Sequence, residues 1–466
     1  MQIHISAKKK YAVLLCLLPC TSLFAGPSAD SLSLQQAVAL TLAHYPAVKA
    51  KAAMVKAGEA AVTDAKHNWY PAVRLHEQVD AGTDNSIYGS YFTMGMIPST
   101  SGGIRAENNS ALMSGNIAMA NMQWEIFNFG AYGSQRNAAR QELQVNRTDL
   151  ANTTNQITAT VIRSYLELLR LRALQQIQAD NINRTNEVLR AVTALVLHGL
   201  RPGVDSAVAA AELSKARLNL IGVCNSYNQV RIELGAFTGL DTTQVNPQYD
   251  SNTQLQELLS PDTTAATTEH PVLQYFKAQF LRQQSLAAVI RKQNRPRLNL
   301  MAAGWMRGSS GLFNDVYDKN LFSGLGYSRY NYLLGLGITW NLTDVKRTHE
   351  KVAIQQYKSA AAEQELENSR IALRSLHDQA QADILTVKDK LRELPMQLKA
   401  AQAAANQKIS LYKHGLTGII EVTNALFVLN RAETDMVQAR DEAWKALFRA
   451  AYADNSLNRL LTAFSL

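Results

Sequence analysis

Leu334-Gly335-Leu336-Gly337-Ile338-Thr339-Trp340-Asn341-Leu342 places an apolar residue at every second position and a small or polar one between. That period of two marks a β-strand whose two faces differ chemically. Directly after it the pattern becomes helical, from about residue 346 to about 412, with Pro395 as the one breaker inside. A continuous helix of about 65 residues would be about 100 Å long at the usual rise, too long for an ordinary globular domain. A strand feeding such a helix is the unit from which the rest of the chain is read.

The unit occurs twice. Trp340-Asn341-Leu342 has a counterpart in Trp124-Glu125-Ile126, and His414-Gly415-Leu416 has one in His198-Gly199-Leu200. Upstream, His270-Pro271 matches Tyr45-Pro46, and Arg295-Pro296-Arg297-Leu298-Asn299-Leu300 matches Tyr70-Pro71-Ala72-Val73-Arg74-Leu75. Each half reads helix, strand, loop, strand, very long helix, turn, helix. The first repeat, 26–250, has strands near 71–82 and 115–127 and a long hairpin near 133–238. The second, 251–466, has strands near 297–306 and 332–342 and a hairpin near 346–454.

Val73, Leu75, Val79 and Ala81 alternate with Arg74, His76, Gln78 and Asp80, and Glu77 interrupts the apolar row. A soluble antiparallel sheet with one wet face would alternate in the same way. The surroundings favour a membrane barrel. Each strand pair is joined by a long Gly-rich loop, 83–114 with Ser101-Gly102-Gly103 and 307–331 with Gly308, Gly311, Gly324 and Gly326. Tyr and Trp sit near the strand ends, as in the aromatic girdles of barrels. In the long helix, Leu373, Leu376, Ala380, Val387, Leu391, Leu394, Leu398, Ala401 and Ala405 step by three, four or seven, which is a coiled-coil seam that needs a partner. Pro395 is predicted to kink or break that helix.

The chain has 466 residues with 47% apolar content, enough to bury a core, and a formal net charge of +9. Lys8-Lys9-Lys10, the apolar run Tyr11 to Leu18 and the small-residue stretch ending at Ala25 have the order of a signal peptide over 1–25. Leu17-Leu18-Pro19-Cys20 also outlines a lipidation signal on Cys20, which proline before the cysteine fits poorly. Cleavage at Ala25 leaves Cys224 alone, so no intrachain disulfide is expected. No basic block interleaved with aromatics appears beyond the signal, which argues against nucleic-acid binding. No other segment is apolar enough for a spanning helix, but barrel strands escape that test. His349-Glu350 comes nearest to a zinc-protease motif, and Ala353 stands where the second histidine would have to be. No metal site, cofactor or enzyme is expected.

This duplicated order of elements resembles the TolC family of outer-membrane efflux and secretion channels. The resemblance covers essentially the whole chain after the signal. Its most specific part is the turn closing each hairpin: Tyr412-Lys413-His414-Gly415 followed by Glu421-Val422-Thr423-Asn424-Ala425, with Arg431-Ala432-Glu433 beyond, and His198-Gly199-Leu200 followed by Asp205 and Lys215-Ala216-Arg217. Leu234-Gly235-Ala236-Phe237-Thr238-Gly239 is similar to the family's return from the hairpin to the middle of the tube. The resemblance implies a mostly α fold with membrane β: a homotrimer whose chains each give four strands to a twelve-strand β-barrel and their helices to a periplasmic tube. It implies an exit duct in the outer membrane that passively conducts small molecules, delivered by an inner-membrane pump through a periplasmic adaptor. A duct for type I protein secretion is the alternative in the same class. A periplasmic coiled-coil adaptor without a channel is the alternative from another class, although an adaptor would carry one central hairpin rather than two. Four strands cannot close by themselves, which independently favours an oligomer.

Gly199 and Gly415 permit positive φ between two helices. The resemblance adds that these tips meet the adaptor, with Leu200 and Leu416 exposed beside them. Asp205 and Glu421 fall near the start of the returning helix, where the helix dipole stabilises a carboxylate. In a trimer such acids can also form rings that favour cations. The resemblance matches Glu421 and Asn424 to positions that line the periplasmic constriction, and Asn424 in place of a second acid weakens any such ring. Arg431 and Glu433 are candidates for ion pairs between helices or for a solvated face.

Overall fold

The computed structural model describes residues 31–83, 85, 107–248, 255, 259, 270–312 and 318–463. The expected signal segment, Cys20 and Ser101-Gly102-Gly103 lie outside them. Helix α1 (Leu34–His44) opens with a reciprocal capping box between Ser33 and Gln36. The two X-Pro pairs that flag the repeat are helix starts: Pro46 opens α2 (Pro46–His67) and Pro271 opens α5 (Pro271–Gln293). Proline suits a first turn, where its missing N–H costs nothing. At the second start His270 also caps, its Nδ1 accepting from the Val272 N–H at 3.2 Å.

Strands β1 (Ala72–Gly82), β2 (Met113–Phe127), β3 (Arg297–Ser309) and β4 (Arg329–Thr339) form one antiparallel sheet in the order β1-β2-β3-β4. The two repeats therefore join edge to edge through β2 and β3. Directly opposed residues share a face. The register thus collects Val73, Leu75 and Val79, Ala118, Ala120 and Met122, Leu298, Leu300 and Ala302, and Leu334, Leu336 and Ile338 on one face. Arg74, His76, Gln78 and Asp80, Asn121 and Gln123, Asn299, and Asn331 share the other, with Ile117, Met119, Met301, Trp305 and Leu333 among them. A bulge between Glu125 and Phe127 turns Phe127 onto the apolar side opposite Leu298. Among the described residues, β1 and β4 each have only one neighbouring strand.

Each strand pair is tied to its helix by an equivalent tryptophan. Trp124 Nε1 donates to the Trp69 carbonyl at 2.8 Å, and Trp340 Nε1 donates to the Asn294 carbonyl at 3.1 Å. These bonds supply acceptor partners where helix meets strand, which accounts for the repeated Trp.

Helices α3 (Ala131–Leu197) and α6 (Asp344–Lys413) have 67 and 70 residues, about 100 Å each. Nearest the sheet they run beside α2 and α5, giving the row α2-α3-α5-α6. Farther away α4 (Gly203–Thr238) and α7 (Ile419–Ala453) return beside them, giving α4-α3-α7-α6. Helix α6 runs unbroken through Pro395, whose ring lies on an exposed side where solvent can satisfy the freed carbonyl. The seam from Leu373 to Ala405 is turned inward, with Ala380, Val387, Ala401 and Ala405 buried. Midway along, α1, α8 (Leu457–Ala463) and the ends of α4 and α7 close a belt around α3, with Leu34, Ile162, Tyr165, Leu168, Leu234 and Val245 at its centre. Tyr165 pins this belt: its hydroxyl donates to the Leu32 carbonyl at 2.9 Å and accepts from the Gln248 N–H at 3.1 Å.

Candidate functional site: the hairpin tips and the faces of the sheet

Both hairpins end in the same backbone device. Gly199 has φ 72° and Gly415 has φ 81°. Leu200 N–H reaches the Leu195 carbonyl at 2.9 Å and Gly199 N–H the Val196 carbonyl at 3.0 Å; Leu416 and Gly415 make the same two bonds to Leu411 and Tyr412. This double closure satisfies helix-end carbonyls and demands a left-handed residue, hence glycine. It also pushes the next side chain outward: Leu200 and Leu416 are exposed, together with Leu197. Each turn thus presents an exposed leucine that no described part of the chain covers.

Behind the tips the two hairpins clasp each other. The Tyr412 hydroxyl donates to Asp205 Oδ2 at 2.9 Å. Arg201 Nη2 donates to the Thr417 carbonyl at 2.7 Å, and its guanidinium lies 4.7 Å from the centre of the Tyr412 ring. Tyr412 is 2% exposed and Asp205 8%. Burial first, and the Asp205 carboxylate second, push the Tyr412 hydroxyl up to about 12, so it stays protonated and donating. Asp205 thus differs from an exposed ring position, because its carboxylate is enclosed and engaged within its own chain.

Glu421 and Asn424 are both exposed, three residues apart on one face of α7. Glu421 Oε2 lies 2.9 Å from Lys408 Nζ, an exposed pair that contributes little stability and balances part of the acid's charge. Farther along, Arg184 of α3 forks onto Glu433 of α7 at 2.9 and 2.6 Å, whereas Arg431 reaches only Asp435 on its own helix, at 3.9 Å. Nearer the belt, Lys445 Nζ lies 2.7 Å from Asp441 and 3.1 Å from Glu167, and Arg170 pairs with Glu167. Burial holds the Asp441 carboxyl above its ordinary range, while the Arg170 hydrogen bond holds Glu167 below its own.

Sequence reading missed Arg201, Lys408 and Arg184, and it took Tyr412 only as part of a motif. No local pattern flags them, since each acts across helices from different repeats or different limbs of a hairpin. His349 and Glu350 lie on an exposed surface, and among the described residues no group of side chains is placed to hold a metal ion. Nor is any described helix long and apolar enough to cross a membrane. Crossing falls to the sheet, whose apolar face holds the exposed side chains of Leu75, Tyr332, Leu336 and Ile338. Glu77, the one acid among the apolar positions of β1, accepts from the Tyr327 hydroxyl at 2.8 and 2.9 Å.

A sheet with one lipid-compatible face and one that carries most of its charged and amide side chains, mounted on helices about 100 Å long, defines a strand-built outer-membrane channel subunit. The outer membrane efflux protein family model matches residues 37–240 and 264–451, and the chain belongs to that family. Its place is the outer membrane, with the helical tube in the periplasm, and its members are channels rather than enzymes. The adaptor alternative is thereby set aside. No curated protein sequence matches the chain. Among solved structures it is similar to the outer-membrane channel OprN (TM-score 0.74, 16% identity, 92% of this chain and 91% of that one). It is also similar to VceC from Vibrio cholerae (0.72, 15%, 90% and 95%) and to the CmeC channel of Campylobacter jejuni (0.74, 14%, 94% and 90%).

Proposed function

We propose that the chain works as a homotrimeric exit duct of a tripartite efflux system, passively conducting small molecules that an inner-membrane pump delivers through a periplasmic adaptor. In this reading 26–250 and 251–466 are two copies of one unit. The observation that carries it is the sheet: its faces are sorted for lipid and water, and β1 and β4 have open edges that only another strand can satisfy in a bilayer. The helices agree. α4 and α6 are the outer members of their row, and each carries apolar side chains left exposed among the described residues, Leu218 and Ile221 on one and Ile371 and Leu385 on the other. A second copy's α4 against α6 covers both stripes as its β1 pairs with β4.

At the periplasmic end, Gly199, Leu200, Gly415 and Leu416 form the adaptor-contacting tips. Three copies of Glu421 and Asn424 line the constriction, and Asp205 sets its width from behind through Tyr412. Native mass measurement of the detergent-purified protein, run beside planar-bilayer recording, tests this. Discrete conductance steps from a trimer are the expected result; a water-soluble monomer without steps overturns it. The polypeptide-secretion alternative shares the same geometry and differs in its inner-membrane partner, so crosslinking in cells separates the two.

A further inference from the structure

The lipid-facing side of the sheet continues onto a basic stretch of helix wall. At the helix end of the sheet the apolar rows close on Trp124, opposed to Leu300, and on Trp340, two residues past Ile338. Tryptophan at that place marks the edge of a hydrocarbon layer. The loops between paired strands leave from the other end. Lys66 and Arg291 sit in the last turns of α2 and α5, at equivalent positions of the two repeats. Arg136 lies five residues into α3, with Arg140 one turn beyond. All four are exposed, and none is in an ion pair among the described residues. Their direction follows from the fold. Tyr165 of α3 reaches the belt at Leu32, and Arg147 stands eighteen residues earlier, five whole turns, so it points to the same side. Arg140 and Arg136 precede Arg147 by seven and eleven residues and share its stripe. Arg147 in turn reaches Glu59 of α2 at 3.0 Å, seven residues before Lys66. A duct keeps its interior open, so the belt side is the outside of the tube. On that side Glu59 is already taken by Arg147, and Asp64, two residues from Lys66, points across its helix. The helix dipole favours cations in the last turns of α2 and α5 but gives nothing to Arg136 and Arg140 near the start of α3.

We infer that this wall is a docking collar for anionic phospholipid of the periplasmic leaflet, with Lys66, Arg136, Arg140 and Arg291 taking headgroup phosphates below the tryptophans. The inference rests on the channel reading above. Depth fits: Arg136 and Arg140 lie about 8 and 14 Å beyond the start of α3, a headgroup layer is about 5–8 Å thick, and their long stems let the charge reach up into it. In the row α2-α3-α5-α6 a second copy meets α2 or α6, so the wall carrying Arg136, Arg140 and Arg291 stays open in a trimer. Full-length trimers in neutral detergent, titrated with phosphatidylglycerol or phosphatidylethanolamine of the same acyl chains and read by native mass, test it. Wild type should hold phosphatidylglycerol about tenfold more tightly, and Arg136→Gln with Arg140→Gln should lower that ratio about fivefold or more. Arg291→Gln alone gives a smaller drop and serves if the double variant fails to assemble. Lys399→Gln, at an exposed site about 80 Å along α6, should match wild type. Glycerol phosphate, which carries the charge without acyl chains, should not displace the lipid. Equal affinity for the two lipids overturns the inference, as does a preference that the arginine variants leave intact or that Lys399→Gln lowers as much. Displacement by glycerol phosphate overturns it in favour of a free-phosphate site. A water-soluble monomer is a different result, because it removes the channel reading itself.

Discussion

Replacing Tyr412 with Phe deletes one hydroxyl from the joint between the two hairpin tips and leaves the ring beneath Arg201 in place. The hydroxyl is the donor to a carboxylate that is 8% exposed, at 2.9 Å. A hydrogen bond to a charged group is worth about 1.5–3 kcal/mol, so the balance between clasped and parted tips should move by about 10- to 150-fold in each chain. Arg201 continues to hold the Thr417 carbonyl, so the variant should fold and assemble. The assay is single-channel recording of purified protein, with Tyr357→Phe on the exposed side of α6 as the matched control. Tyr412→Phe should show a larger or longer-lived conducting state, and Tyr357→Phe should match wild type. A cycle with Asp205→Asn should give a coupling between positions 205 and 412 within the same range. If Tyr412→Phe conducts like wild type and the cycle shows no coupling, the clasp does not govern the tips and the reasoning fails.

The same bond carries a pH signature. The folded Tyr412 is raised to about 12 from an ordinary value of 10.0, so its stabilisation is whole below pH 10 and is lost as pH climbs towards 12. Conductance in wild type should rise over that window, and in Tyr412→Phe it should not. Gly415→Ala meets open space around the new methyl, so its cost is the left-handed backbone alone, about 1–2 kcal/mol. Faster amide exchange confined to the tip is the expected reading, and unchanged exchange would refute it. Ala405→Leu overfills a seam position that is 1% exposed; a loss of about 1–3 kcal/mol should appear as a lower thermal midpoint of the tube.

Comparison of the two repeats shows why the clasp exists. At equivalent turn positions Val196 stands where Tyr412 does, Thr417 where Arg201 does, and Val192 where Lys408 does. The backbone of the two turns is the same, down to the paired bonds behind each glycine. The polar side chains that bind one tip to the other arose where the copies diverge. Two copies of the first hairpin would lack the Tyr412 hydroxyl, and two copies of the second would lack the Arg201 guanidinium.

Local regularities needed only the sequence. The alternation of Val73, Leu75 and Val79 shows a two-faced strand, the three-four spacing from Leu373 to Ala405 shows a buried seam, and Gly199 and Gly415 mark tight reversals. Each is written in residues a few positions apart, where backbone geometry alone relates them. Pairings between distant segments needed the folded chain. The union of β2 with β3, the fork of Arg184 on Glu433 and the burial of Asp205 beneath Tyr412 join residues far apart in sequence. Periodicity tells a helix which face to bury and a strand which face to wet, but it is blind to the identity of the neighbour. Only packing selects that neighbour, because it must satisfy shape, charge and every backbone donor at once.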